Sequence, residues 1–341
     1  MFLHGFFTYR KKITKIETTK RLAKTMVRLI KKSYSLILKT CNTVKWGFFL
    51  IAKKKSIEDG KIIISEAYVN NKGYDIIPRN WGDDLNKFFI EFITQKKIYF
   101  IPYSSSFLKP RKHYILIGSI LTFYNLDKSI VYGTGILDPE DDICGIPEKI
   151  ISVRGPKTRN VLLKRGIECP EAYGDPALLL PLFYDPEPGS SRNRIVVIPN
   201  MGTPVEGVTE YCNEILGDYY LLQLTKYTRW NDIIDIICSA KYVVSESLHG
   251  LIVAEAYGIP NVWVEFKDHP GYWDFKYYDF FDSININKNK IKMQEKPDYE
   301  ELRSNITEWE KSDIPYEEFL SYFPFDTNKK NSLKIKDKNG F

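Results

Sequence analysis

From Lys61 onward, short apolar runs alternate with longer stretches of helical period, the pattern of a parallel sheet with crossover helices. Apolar runs at 62–64, 98–101, 114–117 and 130–132 predict buried strands, and helices are predicted over 83–95 and 156–166. A stretch dense in turn formers at 181–192 (PLFYDPEPGSSR) reads as an inter-domain linker. Beyond it the alternation restarts, with strands at 194–199, 219–224, 241–245 and 261–266 and helices at 204–217, 229–239 and 249–257. Two such series predict an α/β chain of two Rossmann-like doubly wound domains facing a cleft. The expected divisions are an N-terminal extension at 1–55, domains at 56–185 and 186–326, and a disordered, Lys- and Asn-rich tail at 327–341.

The extension differs from the body in charge. The chain has 341 residues and a net charge of +6, yet residues 1–55 hold 15 Lys/Arg against Glu17 alone. The remainder, with 34 basic and 42 acidic residues, nets −8, which argues against a nucleic-acid partner. Residues 20–38 predict a basic amphipathic helix. Leu22, Met26, Leu29, Ile30, Tyr34 and Ile37 fall on one side, and Lys20, Arg21, Lys24, Arg28, Lys31 and Lys32 on the other. Such a helix either docks on the protein's own body or lies on an anionic membrane, where each basic residue near the surface contributes about 1 kcal/mol. In the second case Trp46, Gly47, Phe48, Phe49 and Leu50 would form a further membrane contact.

No apolar run reaches membrane-spanning length, and the apolar start from Met1 to Phe7 is too short for a signal peptide. Five scattered cysteines and four histidines give neither a zinc spacing nor a disulfide framework. A cytoplasmic protein with reduced thiols is expected, peripheral on the membrane if the helix binds lipid.

Candidate chemistry gathers at predicted strand ends. The stretch 245–260 (SESLHGLIVAEAYGIP) puts His249 at a strand-to-helix turn, where unpaired helix-start N–H groups suit an anion and the imidazole can hold it or move a proton. The neighbouring Ser245, Glu246, Ser247 and Gly250 belong to the same turn. In 153–158 (VRGPKT) Pro156 suits a first helical position, so Arg154 sits just before a helix start with Lys157 and Thr158 in its first turn. An arginine fork there reads as a phosphate site, or as a bridge to a structural carboxylate, with Asp175 a candidate holder. Asn80, Gly82 and Asp83 enter a helix with Asp83 or Asp84 as N-cap. Gly118 and Ser119, and Gly133, Thr134 and Gly135, end strands where a ligand can approach the backbone.

In order and number these motifs resemble the polysaccharide pyruvyl transferase family from about Asn80 to Phe266. The resemblance implies a GT-B-like fold with its active site in the cleft. The implied activity moves a pyruvyl group from phosphoenolpyruvate to a sugar as a cyclic ketal, with no cofactor beyond the donor substrate. Many members carry an arginine two residues before the histidine, where this chain has Ser247. On that footing Arg154 and Lys157 would clamp phosphate, His249 would be the general acid, and Asp83 or Glu246 would take protons from the acceptor sugar, itself free or lipid-linked. Two alternatives stand beside this: a GT-B-type nucleotide-sugar glycosyltransferase using Glu255, and a non-catalytic glycan-binding relative.

Overall fold

The computed structural model describes residues 2–67, 80–102, 105–187, 193–295 and 299–327, with side chains from Ala23 onward. All of the tail expected at 327–341 but Thr327, residues 188–192 of the turn-dense stretch and the side chains of Lys20, Arg21 and Leu22 lie outside the described residues.

A single long helix, α1 (Phe2–Glu58), leads into the first sheet, so the helix predicted over 20–38 runs on for a further twenty residues. Its last part is held by a small core in which Trp46 and Ile57 pack with Ile64 and Ile101. Trp46 is fully buried and its indole N–H donates to the Leu108 carbonyl at 3.1 Å. That corrects the expectation of a membrane contact at Trp46, which faces the body; Phe48 is the exposed aromatic of that stretch.

The first sheet comprises β1 (Ile62–Glu66), β2 (Lys97–Phe100), β3 (His113–Ile115), β4 (Ser129–Val131) and β5 (Lys149–Ile150), all parallel, in the order β2-β1-β3-β4-β5. The second comprises β6 (Ile195–Ile198), β7 (Tyr219–Leu221), β8 (Tyr242–Ser245), β9 (Asn261–Glu265) and β10 (Ile291–Lys292), again parallel, in the order β7-β6-β8-β9-β10. Both follow the 2-1-3-4-5 order of doubly wound sheets, each with a switch point between its first and third strands. The strands are short, and the inner ones, β1, β3, β4, β6 and β8, are buried on both faces, which is why they read as unbroken apolar runs.

Three helices position the site. In α2 (Trp81–Thr94), Leu85, Phe89, Ile90 and Ile93 form one buried stripe. Its N-cap is Asn80, correcting the expected Asp83 or Asp84; both acids instead stand in the first turn. The helix α3 (Pro156–Lys164) begins at Pro156 with Gly155 as N-cap. The helix α6 (Leu248–Tyr257) is apolar nearly all round because it is buried on all sides, against its own sheet and a 3₁₀ helix at Pro176–Leu182. It ends at Gly258 in the left-handed region, φ 68°. The 3₁₀ helix takes in Pro181 and Leu182, so the stretch expected to link the domains starts as half-buried helix.

The remaining helices are α4 (Val205–Ile215), α5 (Asp232–Cys238), α7 (Phe275–Ser283), α8 (Tyr299–Thr307) and α9 (Tyr316–Ser321). Two of them reach back to the first half. Asp279 of α7 accepts from Thr158 of α3, and Phe319 of α9 stacks on Tyr132 at 4.9 Å.

Candidate active site

The carboxyl ends of the two sheets meet. Trp81 at the start of α2 donates its backbone N–H to the Leu224 carbonyl after β7 at 3.0 Å, and its indole N–H to the Trp230 carbonyl at 2.6 Å. His249, on the second residue of α6, follows β8 at the second sheet's switch point. Gly82 lies where the chain returns from β1 at the first sheet's switch point. The two touch so closely that a Cβ on Gly82 would overlap the imidazole around Nδ1. Glycine at 82 is therefore required for the ring of one half to rest on the backbone of the other.

His249 Nε2 is buried and has no hydrogen-bond partner. Burial, reinforced by the charges of Arg154 and Lys276, depresses the imidazole pKa to about 3, so it is neutral at pH 7 in the unliganded protein. Asp83 accepts from Asn80 Nδ2 at 2.8 Å, and burial raises its pKa to about 7 against that hydrogen bond. Asp175 caps the 3₁₀ helix through Ala177 N–H at 3.0 Å, but its other oxygen, Oδ2, is buried without a partner, and burial raises its pKa to about 6.

Lys276 of α7 completes the group and was not singled out from sequence. Its ammonium lies 3.6 Å from the Trp273 ring centroid, the side chain is buried, and none of its contacts among the described residues is a carboxylate ion pair. Burial depresses its pKa to about 7, helped by Arg154 and opposed by Asp83 and Glu246. A buried lysine stacked on an aromatic ring with no direct ion pair is the signal that could have found it, and neither feature shows in a sequence.

Arg154 is placed differently from a free phosphate clamp. It is fully buried; Nε donates to Asp279 Oδ2 at 3.1 Å, Nη1 to Ser119 Oγ at 2.5 Å and Nη2 to the Ile136 carbonyl at 3.0 Å. The carboxylate holding it is Asp279, which corrects the expectation of Asp175. Asp279 also accepts from Thr158 N at 2.8 Å and Thr158 Oγ1 at 2.7 Å, tying α3 to α7. A Cβ on Gly135 would overlap the guanidinium and one on Gly155 would overlap the Asp279 backbone, which accounts for both glycines. Arg154 thus reaches the site through its charge on His249 and Lys276.

The other singled-out residues divide in the same way. Gly118, Thr134 and Gly135 bond to one another through Gly135 N–H and Thr134 Oγ1, both donating to the Gly118 carbonyl, at 3.0 and 2.7 Å. Gly133 N–H donates to the Ser152 carbonyl. Ser245 Oγ accepts from Ser247 N–H at 3.0 Å, and Gly250 packs against that hydroxyl. Lys157 pairs with Asp282 at 3.1 Å with both groups about two-fifths exposed, outside the buried group.

Glu246 is saturated. It accepts from Asn200 N and Thr203 Oγ1 on one oxygen, and from Phe266 N with His269 Nε2 at 3.2 Å on the other. That disposition fits a loop-holding carboxylate rather than the proton acceptor expected of it. Glu255, the acid a glycosyltransferase would use, is likewise engaged by Lys288, Asn261, Trp309 and Ser312.

A cavity of about 700 Å³ lies elsewhere, at the amino ends of the first sheet's strands, lined by Lys96, Lys112, Lys149 and Phe325. Ligands of doubly wound sheets bind at the opposite, carboxyl ends, so the chemistry is assigned to the His249 junction. Among the described residues no group of three or more His, Cys, Asp or Glu could hold a metal ion.

Residues 31–268 match the family described as "Polysaccharide pyruvyl transferase". The chain is also similar to the uncharacterized protein L143 of Acanthamoeba polyphaga mimivirus, 30% identical over 240 residues, covering 67% of this chain and 77% of that protein.

Proposed function

The chain belongs to the polysaccharide pyruvyl transferase family, and from that premise we propose that it transfers the pyruvyl group of phosphoenolpyruvate to a sugar as a cyclic ketal, releasing phosphate. The observation that carries the reading is the junction itself: His249 Nε2 without a partner, beside the buried Lys276, whose ammonium makes no direct ion pair among the described residues, and the acid Asp83 whose pKa stands near 7. A small phosphorylated acid supplies the negative charge these groups lack.

In the proposed mechanism the donor phosphate lies against the Lys276 ammonium and the amino end of α6. Its arrival raises the depressed His249 pKa, because an adjacent anion favours the imidazolium. One sugar hydroxyl adds to the donor's C2 and loses its proton to Asp83, while the imidazolium protonates the methylene carbon to a methyl. The second hydroxyl of the same sugar then displaces phosphate from C2, its proton leaving to a base, and the ring of the ketal closes. Arg154 positions rather than binds: it fixes the loops after β3, β4 and β5 against α7 and so holds Lys276 in place. The GT-B-like cleft, an acceptor belonging to a cell-surface polysaccharide or its lipid-linked precursor, and a location in the cytoplasm or on the cytoplasmic membrane face are parts of the same proposal.

Mass spectrometry of acceptor glycans after incubation with phosphoenolpyruvate, and separately with nucleotide sugars, tests it. A mass gain of one pyruvate ketal with the first donor is expected. A hexose gain with the second, and none with the first, would replace the reading with a glycosyltransferase.

A further inference from the structure

The helix α1 has two faces, and only one is explained by the body. Trp46, Phe49, Leu50 and Ile57 carry the contact with the first sheet, and Phe49 meets the Tyr99 ring at 4.7 Å. Val27, Ile30, Tyr34, Ile37, Val44, Phe48 and Ile51 are between 52% and 75% exposed. At about 100° per residue, Ile37 stands about 180° from Trp46, and Ile30 about 180° from Ile57. The apolar stripe therefore points away from the domain that the helix carries. Residues 23–41 are exposed throughout, so about 30 Å of helix stands clear of the body.

What covers the stripe is decided by charge. Between Ala23 and Glu58 there are nine Lys and Arg and one acid, Glu58 itself. Val27, Ile30, Tyr34, Ile37, Cys41, Val44, Phe48 and Ile51 recur at alternate spacings of three and four, the seam of a coiled coil. A second copy would lay Lys24, Lys31 and Lys45 along that seam against a partner helix whose only acids are Glu17 and Glu58. An anionic bilayer answers them directly. The apolar stripe enters the acyl boundary, lysine stems reach back to the headgroups, and the domain stays on the water side. Among the described residues no helix is long and apolar enough to cross the bilayer, so α1 lies in its plane.

We propose that the outward stripe of α1, running from Val27 to Ile51, is a docking face for an anionic lipid surface. Membrane binding through it does not depend on the identity of the donor, and its test involves no turnover.

The test is flotation of the full chain with vesicles of phosphatidylcholine alone, and of phosphatidylcholine with about a third phosphatidylglycerol. It is repeated on the variant Ile30→Gln, Ile37→Gln, Phe48→Gln, which keeps every charge. The native chain is expected to float with the anionic vesicles and to be released by about 0.5 M salt. The variant, with helicity unchanged by circular dichroism, is expected to bind at least about tenfold more weakly. Failure of the native chain to float, or equal flotation of the variant, would overturn the proposal. So would a native dimer in sedimentation velocity that the variant dissolves and that leaves vesicles unbound, since the stripe would then belong to a second copy.

Discussion

His249 is neutral at pH 7 chiefly because burial depresses its pKa, with the charge of Arg154 adding to the shift, and an incoming anion opposes both. The same holds for Lys276, whose pKa near 7 leaves much of it uncharged at pH 7.5 in the free protein. Both depressed values rise beside a phosphate dianion, so binding of phosphoenolpyruvate at pH 7.5 should take up protons. Calorimetry in buffers of different ionisation enthalpy measures this directly: net uptake is expected, and net release would count against the assignment. Lys276→Met should abolish most of that uptake and raise the donor Kd about tenfold or more, leaving the fold intact. Gly82→Ala tests the contact between the halves, because its methyl group must displace the imidazole. A loss of about 10²-fold in turnover with little change in Tm is expected.

At the scale of elements, α3 and α7 are joined by one buried carboxylate. Asp279 answers Arg154 and both the backbone and hydroxyl of Thr158, and removing it leaves a buried guanidinium with its ion-pair partner gone. Asp279→Ala should therefore cost about 3–5 kcal/mol in denaturant unfolding. A cost below about 1 kcal/mol would show that the network carries little. The helices α2, α3 and α6 were legible in sequence over 83–95, 156–166 and 249–257, with Pro156 marking the start of α3. The network was not, because Arg154 and Asp279 are 125 residues apart and no local pattern joins them. The sequence left the Arg-Gly-Pro motif open between a phosphate site and a bridge to a structural carboxylate; the arginine makes the bridge, to Asp279, and the glycine makes room for the α7 backbone.

Across the whole molecule, the two sheets repeat one strand order, and the switch points of both contribute to a single group of side chains. The broad duplication could be read from alternating apolar runs, and His249 from its place after a buried strand. What could not be read is how the halves meet, since Gly82 against His249 and Lys276 over Trp273 are products of packing alone. The central claim is that this junction acts on a phosphorylated pyruvyl donor through the imidazole. Phosphate release from phosphoenolpyruvate in the presence of sugar acceptors, compared between the native chain and His249→Gln, tests it most directly. The account predicts acceptor-dependent release that falls about 10²-fold or more in the variant. Equal release by a well-folded His249→Gln protein would contradict it.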